Sequence, residues 1–354
     1  MISRIELQNF RGFKNFKTEI TPITIFGGRN NSGKTSILEA VLFLFAHSNP
    51  NCFFQMNFLR HMNDQPLFTP ERLWEPLFYD FVSSNELKII LTGKESCNEL
   101  ILNKVEEKIE VSNYSNPNIF TQNMSIPNNY PLGFKYDSKN VSEKGMYLIE
   151  NNMINIKYNL KEEKQVPQLQ MVWMFKSETY FDSNSIAQWF GQLVLNDKKS
   201  MLLKALQIFD TKIIDVQTIV KGAFGYLYAI FEDGRKMPVS YMGDGMNRML
   251  NILLGILANP GSIILIDEIE NGFHYSMYQK LWELIGSAAM RNNCQIIANT
   301  HSRDLLQGAV DGLKSVNLID KLSYIRLDKK DDIIAHIFDS ELIDYALDAE
   351  MEVR

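Results

Sequence analysis

The feature that most constrains this chain is a glycine-rich turn between an apolar strand and a helix near its N-terminus. The letters from Gly28 to Thr35 read G-R-N-N-S-G-K-T, which is the P-loop pattern G-x-x-x-x-G-K-[ST]. The turn follows the apolar residues Ile23, Ile25 and Phe26, so it stands in the strand–loop–helix context that a phosphate-binding loop needs. The sequence therefore predicts a nucleotide site here.

The chemistry of the loop follows from its residue types. Glycines at both ends of the turn permit backbone angles that point successive N–H groups inward, into an anion-binding nest. The following helix adds the partial positive charge of its N-terminus. We expect the ammonium of Lys34 to reach the β- and γ-phosphates of ATP, where it assists catalysis, and the hydroxyl of Thr35 to ligate Mg²⁺. The predicted nucleotide ligands are Gly28, Asn30, Asn31, Ser32, Gly33, Lys34, Thr35 and Ser36.

A second stretch places two carboxylates at the end of an apolar strand. Ile263–Ile266 runs directly into Asp267 and Glu268, the arrangement of a Walker B strand. Asp267 can hold Mg²⁺ through water while Thr35 ligates it directly, and Glu268 can polarise the attacking water. The alternative is a surface turn, although an apolar strand has no structural use for two carboxylates at its tip. The next predicted parallel strand ends at His301, which either senses the γ-phosphate or is an ordinary structural histidine.

Composition excludes several classes of protein. The 354 residues suffice for one large α/β domain with an insertion, or for two lobes. A net charge of −6 provides no overall basic field for nucleic acid. Three scattered cysteines form no C-x-x-C pair, which fits a reducing cytosol. Because no apolar run reaches about 18 residues, we expect a soluble cytoplasmic protein without a membrane partner.

The element pattern predicts an α/β fold, a P-loop NTPase with a mixed sheet, flanking helices, a β-rich insertion and a small helical lobe. Apolar strands and amphipathic helices alternate along much of the chain, as such a fold requires. The predicted segments include a strand over Phe16–Phe26 and helices over Lys34–Ala46, Leu73–Phe81, Ser185–Phe209 and Gly245–Leu257.

The residue composition changes in the middle of the chain. Asn, Ser and Lys crowd residues 97–169, and three prolines interrupt them. We expect a β/loop insertion there, between the two halves of an ATPase core at 1–96 and 211–354, with a strand and helical lobe at 170–210. The insertion is either a peripheral β lobe or a dedicated partner-binding element.

Together these motifs carry a family resemblance. The P-loop, the Asp-Glu strand tip, the following His strand and the opening letters R-I-E-L-Q-N-F-R-G-F, from Arg4 to Phe13, are similar to the ABC-type ATPase heads of the SMC, RecF and OLD branch. The chain resembles most closely the small stand-alone ATPases related to the OLD family, several of which serve in bacterial anti-phage systems. The similarity covers Met1–Ala46 and Pro238–Arg354, and it includes the letters E-N-G-F-H from Glu270 to His274.

The resemblance implies further site residues. ABC heads present a signature motif to the ATP of a partner head, and the candidate is the segment Ser240–Arg248, with the letters S-Y-M-G-D-G-M-N-R in place of the usual L-S-G-G-Q. Ser240, Gly243 and Gly245 would offer N–H groups to a γ-phosphate, although a plain helix N-cap by Ser240 or Asp244 is the alternative. The family pattern also implies a nucleotide contact by Arg11. A Q-loop would fall at 177–180, where no glutamine stands.

The implied mechanism is ATP-dependent pairing of two heads, or a higher homo-oligomer, with slow hydrolysis of sandwiched ATP. Three functions compete. The first is a defence ATPase that controls a separate effector such as a nuclease. The second is a RecF-like repair or recombination ATPase that binds DNA, against which the acidic composition argues mildly. The third is a self-contained OLD-type nuclease, for which little chain remains after the ATPase core. A transporter subunit fits poorly because the signature is degenerate. We favour the first function.

Overall fold

The computed structural model describes residues 1–57, 69–105, 130–139, 141–150, 153–158, 170–176 and 183–348. These residues fall into two compact units. The first unit comprises Met1–Ser3, Thr18–Leu38 and Leu169–Arg354, and the second comprises Arg4–Lys17 and Glu39–Gln168. No helix among the described residues is long and apolar enough to cross a membrane.

Sixteen strands occur in the described part of the chain. They are β1 Ile2–Phe10, β2 Phe13–Glu19, β3 Ile23–Gly28, β4 Leu87–Gly93, β5 Cys97–Lys104, β6 Leu132–Asp137, β7 Ser142–Glu150, β8 Met153–Tyr158, β9 Val172–Phe175, β10 Ile213–Lys221, β11 Phe224–Phe231, β12 Lys236–Pro238, β13 Ile263–Ile266, β14 Gln295–Asn299, β15 Leu322–Lys329 and β16 Ile333–Phe338.

Nine α-helices are described along the same residues, together with short 3₁₀ turns. The α-helices are α1 Lys34–Ala46, α2 Asn51–Asn57, α3 Pro70–Leu73, α4 Ser183–Leu195, α5 Lys199–Leu206, α6 Asp244–Ala258, α7 Tyr278–Arg291, α8 Arg303–Ser315 and α9 Ser340–Asp348.

The main sheet of the first unit has the strand order β16-β15-β3-β14-β13-β9. Strands β15, β3, β14, β13 and β9 run parallel to one another, and β16 at the edge pairs antiparallel with β15. Every residue of β3, β13 and β14 is buried, as expected for strands covered on both faces. Because these three strands are parallel neighbours, their carboxyl ends meet at one edge. That edge receives the P-loop, the Asp-Glu pair and His301.

Helices of the first unit pack closely on this sheet. At Gly255 in α6 a Cβ atom would lie 2.4 Å from the ring of Phe175 at the end of β9, so only glycine permits this approach. Helices α4 and α5 pack on α6 and on the small antiparallel sheet β10-β11-β12. They provide the helical lobe that the sequence predicts. The periodicity over Ser185–Phe209 nevertheless belongs to two helices, because the chain turns through Asp197, whose φ is 56°.

The second unit contains an antiparallel sheet in which β4 to β8 follow one another in order. Aromatic side chains fill its core: Phe53 lies edge-on to Trp74 and Tyr147, and Phe134 packs on Tyr147. Each of these rings is at most 3% exposed, and complete burial of such a side chain contributes about 1.5–3 kcal/mol. Strands β5–β8 confirm the β-rich character of the insertion, of which residues 106–129, 140, 151–152 and 159–169 lie outside the described residues.

Two predicted elements are wrong in their extent. The strand over Phe16–Phe26 is two strands, since β2 ends before Pro22, which has no N–H for a ladder. The helix over Leu73–Phe81 is also wrong: α3 ends at Leu73, and two 3₁₀ turns follow. Pro76 interrupts the helical hydrogen bonds, and Asp80 takes a left-handed φ of 50°. Helix α8 has no counterpart in the sequence interpretation. The domain boundaries stay a prediction.

Candidate nucleotide-binding site

The P-loop leaves β3 through backbone angles that ordinary side chains avoid. Gly28 has a φ of 125° and Gly33 a φ of 93°. A Cβ atom on Gly28 would lie 2.4 Å from the carbonyl oxygen of Leu327 on β15, so sheet and loop together require glycine there. Asn31 adopts a φ of 63°, a region that asparagine tolerates better than most residues. The loop is thus shaped as a backbone nest ahead of α1.

Lys34 opens α1 and is buried, with 5% of its surface exposed. Its Nζ donates hydrogen bonds to the carbonyl oxygens of Gly28 and Arg29, both at 2.9 Å. Burial lowers the pKa of the ammonium from 10.5 to about 8, against an opposing influence of Glu270, Asp267 and Glu268. The ammonium therefore donates to carbonyl oxygens of its own loop, and phosphate oxygens could replace these acceptors when a nucleotide binds.

Thr35 and Asp267 meet although 232 positions separate them in sequence. The Thr35 hydroxyl donates to Oδ1 of Asp267 at 2.9 Å. Asn299 at the end of β14 donates its Nδ2 to the same carboxylate oxygen and lies 3.5 Å from the Thr35 hydroxyl. This donor set fits Mg²⁺, which prefers oxygen ligands and keeps several waters. Thr35 and Asp267 would hold the ion, which would neutralise phosphate charge when bound.

Glu268 sits on a strained turn. Its φ is 49°, a left-handed conformation that costs a non-glycine residue about 1–2 kcal/mol. Surrounding contacts hold it: the main-chain N–H donates to Oδ1 of Asn299, and Oε2 accepts from Nδ2 of Asn271 at 2.6 Å. Strain of this kind persists only where the surroundings over-determine it. The carboxylate is thereby presented one residue beyond Asp267, at the same sheet edge.

His301 lies at that edge as well, and it is exposed. Its main-chain N–H donates to Oε1 of Glu270 at 2.6 Å. A third carboxylate thus ties the loop after β13 to the loop after β14. The imidazole itself lies on the solvent side, so a phosphate-sensing role for His301 stays a prediction.

The signature segment begins α6. Ser240 lies in a 3₁₀ turn over Val239–Tyr241, and Gly243, with a φ of 98°, is the N-cap of α6. No side chain caps this helix, so the alternative role of Ser240 or Asp244 as an N-cap is wrong. Ser240 and Gly243 are exposed. Gly245 approaches the loop after β13 so closely that a Cβ atom there would lie 2.3 Å from the Gly272 carbonyl oxygen.

Arg11 belongs to the second unit. Its Nη1 lies 3.0 Å from Oε2 of Glu39, and both side chains are almost completely buried. Such a buried ion pair is costly to break, by about 3–5 kcal/mol, because one charge would be left uncompensated. The nucleotide contact of Arg11 stays a prediction, and the Q-loop position at 177–180 lies outside the described residues.

Comparison with protein families agrees with this geometry. A family model described as "AAA ATPase domain" matches residues 1–188, which is more than half of the 354-residue chain. The chain belongs to the AAA ATPase domain family. A second matching model, over residues 148–306, carries the words "AAA domain", "AbiEii toxin" and "Type IV TA system" in its description.

The chain is also similar to two individual proteins. This AAA ATPase is 26% identical over 336 residues to a protein of Helicobacter pylori (strain ATCC 700392 / 26695) named ATP/GTP phosphatase, with 87% of each chain covered. A stretch of 44 residues is 52% identical to the DNA replication and repair protein RecF of Acholeplasma laidlawii (strain PG-8A), covering 12% of this chain and 13% of RecF. The predicted enzyme class, an ATPase, is confirmed.

A solved structure is also similar in its fold. The SMC head bound to the C-winged helix domain of ScpA superposes with a TM-score of 0.50 at 13% identity, over 96% of this chain and 98% of that one. At such low identity the likeness concerns the fold alone. It confirms the predicted P-loop ATPase fold of SMC-head type.

Three polar residues of the ATPase site escape sequence reasoning: Asn299, Glu270 and Arg248. Asn299 is buried and contacts the side chains of Thr35 and Asp267 and the main chain of Glu268. A polar residue directly after the apolar letters Ile296–Ala298 is the available signal. Its meaning depends on the β13–β14 register, which pairs Ile266 with Ala298 and so brings Asn299 beside Asp267.

The depressed pKa of Lys34 predicts a pH dependence of ATP binding. Below about pH 8 the Lys34 ammonium is charged, and the affinity for ATP should be constant. Above about pH 8 the Lys34 side chain of the free ATPase loses its proton, and with it the positive charge that attracts phosphate. Because bound phosphate favours the charged form, binding takes up a proton and the affinity falls by up to about tenfold per pH unit. Nucleotide titrations from about pH 7 to about pH 10, in buffers of different ionisation enthalpy, measure both effects.

Lys34→Arg is the matched variant, since a guanidinium stays charged throughout this range. Its ATP affinity should not change as pH rises, and proton uptake on binding should vanish. A wild-type affinity that stays constant to pH 10 would contradict the prediction. The same shift has a consequence for folding: burial of charged Lys34 opposes stability below pH 8, and this penalty declines as pH rises from 8 to 10.5.

Proposed function

We propose that this AAA ATPase is an ATP-driven switch in which two heads pair around ATP and so control a separate effector, in a bacterial anti-phage system. The observation that carries the proposal is the 2.9 Å contact between Thr35 of the P-loop and Asp267 of the Walker B strand, with Glu268 beside it. This arrangement supplies the phosphate nest, the metal ligands and a base for the attack of water on the γ-phosphate.

The proposed roles follow from position. The P-loop N–H groups and Lys34 bind and orient the phosphates, which provides most of the catalytic effect in phosphoryl transfer. In this proposal Asp267 and Thr35 hold the metal, Glu268 orients the attacking water, and His301 responds to the γ-phosphate. Because a switch uses binding energy for a change of state, we expect turnover to be slow.

Pairing of heads is supported by the exposed N-terminus of α6. Ser240 and Gly243 face solvent, and the neighbouring Tyr241 is 80% exposed. An α-helix N-terminus with free N–H groups suits an anion. A γ-phosphate held in the P-loop of a second copy has the required charge, and it would complete the sandwich that the family resemblance implies.

The defence role is supported by two independent likenesses: the OLD-related motifs of the sequence and the family model whose description names AbiEii toxin and a type IV TA system. A nuclease is the effector class that fits such systems best. DNA binding is the second candidate, favoured by the 52% identity of a 44-residue stretch to RecF. The net charge of −6 weakens it, because affinity for DNA comes largely from basic residues that contact phosphates.

The test is an ATP-dependent capture from native cells. Tagged Glu268→Gln protein, which should bind ATP without hydrolysing it, is compared with Lys34→Ala protein, which should not bind ATP. A stoichiometric protein that follows only the first bait, leaves when ATP is removed, and changes its own activity with the nucleotide state of purified ATPase would support the switch. Salt-sensitive DNA on the Glu268→Gln bait, with no such protein, would overturn it in favour of repair.

A further inference from the structure

Arg248 joins the signature helix to the Walker B turn within one chain. It lies in the second turn of α6, and its Nη2 donates to the main-chain carbonyl oxygens of Asp267 at 2.7 Å and of Glu268 at 2.9 Å. Burial lowers the pKa of the guanidinium, and the nearby carboxylates of Asp267, Glu270 and Glu268 oppose that shift. A single side chain therefore holds both peptide units that flank Glu268.

The gripped turn is the strained one. Glu268 has a φ of 49°, and a residue in that region keeps its conformation only when its neighbours fix it. Asn299 bonds the N–H of Glu268 from one side, and Arg248 bonds its carbonyl oxygen from the other. The direction of the Glu268 side chain thus depends on where α6 places Arg248.

The start of α6 is fixed against the same loop. Gly245 leaves no room for a Cβ atom beside the carbonyl oxygen of Gly272, so α6 and the loop after β13 touch backbone to backbone. Interiors packed this closely transmit displacement instead of absorbing it. A shift of the α6 N-terminus is therefore passed to the Walker B turn at two places, Gly272 and the carbonyl oxygens held by Arg248.

We propose that Arg248 is a positioning residue through which each head sets its own Glu268 when a second head engages the N-terminus of its α6. The inference rests on the proposed pairing of heads and deepens it: the phosphate bound by one copy regulates hydrolysis in the other. Contact of the partner's phosphate with Ser240 and Gly243 shifts or fixes α6. Arg248 transmits that change in the position of α6 to the carbonyl oxygen of Glu268, and the Glu268 carboxylate becomes aligned with the attacking water.

The first experiment separates positioning from binding. In Arg248→Ala, kcat should fall by about 10- to 100-fold, the effect of misplacing a catalytic group, while the Kd for a non-hydrolysable ATP analogue stays within about twofold. Arg248→Lys should recover part of kcat, since an ammonium can still reach one carbonyl. Lys198→Ala is the matched control, because Lys198 donates to the carbonyl oxygen of Leu257 at the other end of α6; its kcat should stay within about twofold.

A second experiment asks on which head Arg248 acts. Ser240→Glu should block engagement of a partner's γ-phosphate by like charge. Co-expressed with Glu268→Gln, it should not regain turnover over either variant alone, because the chain that keeps Glu268 is the chain whose own α6 is blocked. Arg248→Ala with Glu268→Gln should not recover, since the defect lies in the same chain as the remaining Glu268.

The outcomes distinguish a failure of the proposed role of Arg248 from a failure of the proposed pairing of heads. Recovery of Arg248→Ala by Glu268→Gln would place Arg248 in the trans signature and overturn the inference. Unchanged kcat in Arg248→Ala, or a loss of its nucleotide affinity well beyond about twofold, would also overturn it. Recovery of Ser240→Glu by Glu268→Gln would overturn it in the same way, whereas failure of Glu268→Gln to form an ATP-dependent pair, measured by light scattering, would instead contradict the pairing of heads, on which the inference rests.

Discussion

Replacing Lys34 by alanine is expected to weaken ATP binding by at least about 100-fold. A hydrogen bond with a charged partner contributes about 1.5–3 kcal/mol, and the ammonium is placed to make two such bonds to phosphates. It now donates to the carbonyl oxygens of Gly28 and Arg29 at 2.9 Å, so its loss frees two acceptors that face the phosphate site. Both changes disfavour a bound anion. Nucleotide titration by calorimetry or fluorescence measures the loss.

The matched control is Lys280→Ala. Lys280 belongs to the same unit, but its ammonium is exposed and pairs with Glu283 on α7, and a surface pair of this kind contributes only about 0–1 kcal/mol. ATP affinity should be unchanged in this variant, and both variants should keep the wild-type thermal midpoint within a few degrees. Wild-type affinity in Lys34→Ala would contradict the P-loop assignment outright.

The elements that bear the site could be predicted because their sequences are locally unambiguous. The glycines of the P-loop, the continuous apolar letters of β13, the short apolar run Ile296–Ala298 within β14, and the lysine that starts α1 each have one favourable local structure. The order of motifs then indicates a parallel sheet whose carboxyl edge collects them. Strand β3, helix α1 and the Asp-Glu tip accordingly lie where the sequence places them.

Contacts between distant segments could not be predicted in the same way. Asn299 acts through the register of β13 and β14, and a shift of one residue would turn it away from Asp267. Arg248 acts through the packing of α6, which depends on Gly245 and Gly255 admitting neighbouring atoms. Asn299 belongs to no motif, and the candidate signature segment that includes Arg248 does not indicate the contacts of its side chain. The sequence names the chemical groups, whereas the tertiary packing decides which of them touch.

Errors in secondary structure have a similar origin. Leu73–Phe81 has helical composition, but Pro76 and the left-handed Asp80 divide it into short turns. Helix α8 was missed although Ser302 is a good N-cap, whose hydroxyl accepts from the N–H of Leu305 at 3.1 Å. Its apolar face is interrupted by two glycines, Gly308 and Gly312, that lie against α7. Glycine lowers helix propensity, and close helix packing outweighs that preference here.

Replacing Glu268 by glutamine is expected to preserve ATP binding and to lower kcat by about 10²–10⁴-fold, the usual contribution of a general base. Glutamine keeps the shape of the side chain and its acceptor oxygen for Asn271, so the strained turn should persist. The P-loop nest, Lys34 and the Thr35–Asp267 pair remain intact, and ATP should therefore accumulate unhydrolysed. Under the proposed switch, the variant should form a stable pair of heads with ATP, detectable by light scattering, whereas the wild type should pair only transiently.

Two further variants decide whether the base is correctly assigned. Glu283→Gln removes a carboxylate from α7 at an ion pair away from the site and should leave kcat unchanged. Glu270→Gln tests the competing carboxylate, whose Oε1 accepts from the N–H of His301. Because a glutamine oxygen can accept the same bond, this variant should lose much less activity than Glu268→Gln. If Glu270→Gln lost more, the base would be Glu270, and the strain at Glu268 would serve to aim its neighbour two residues on.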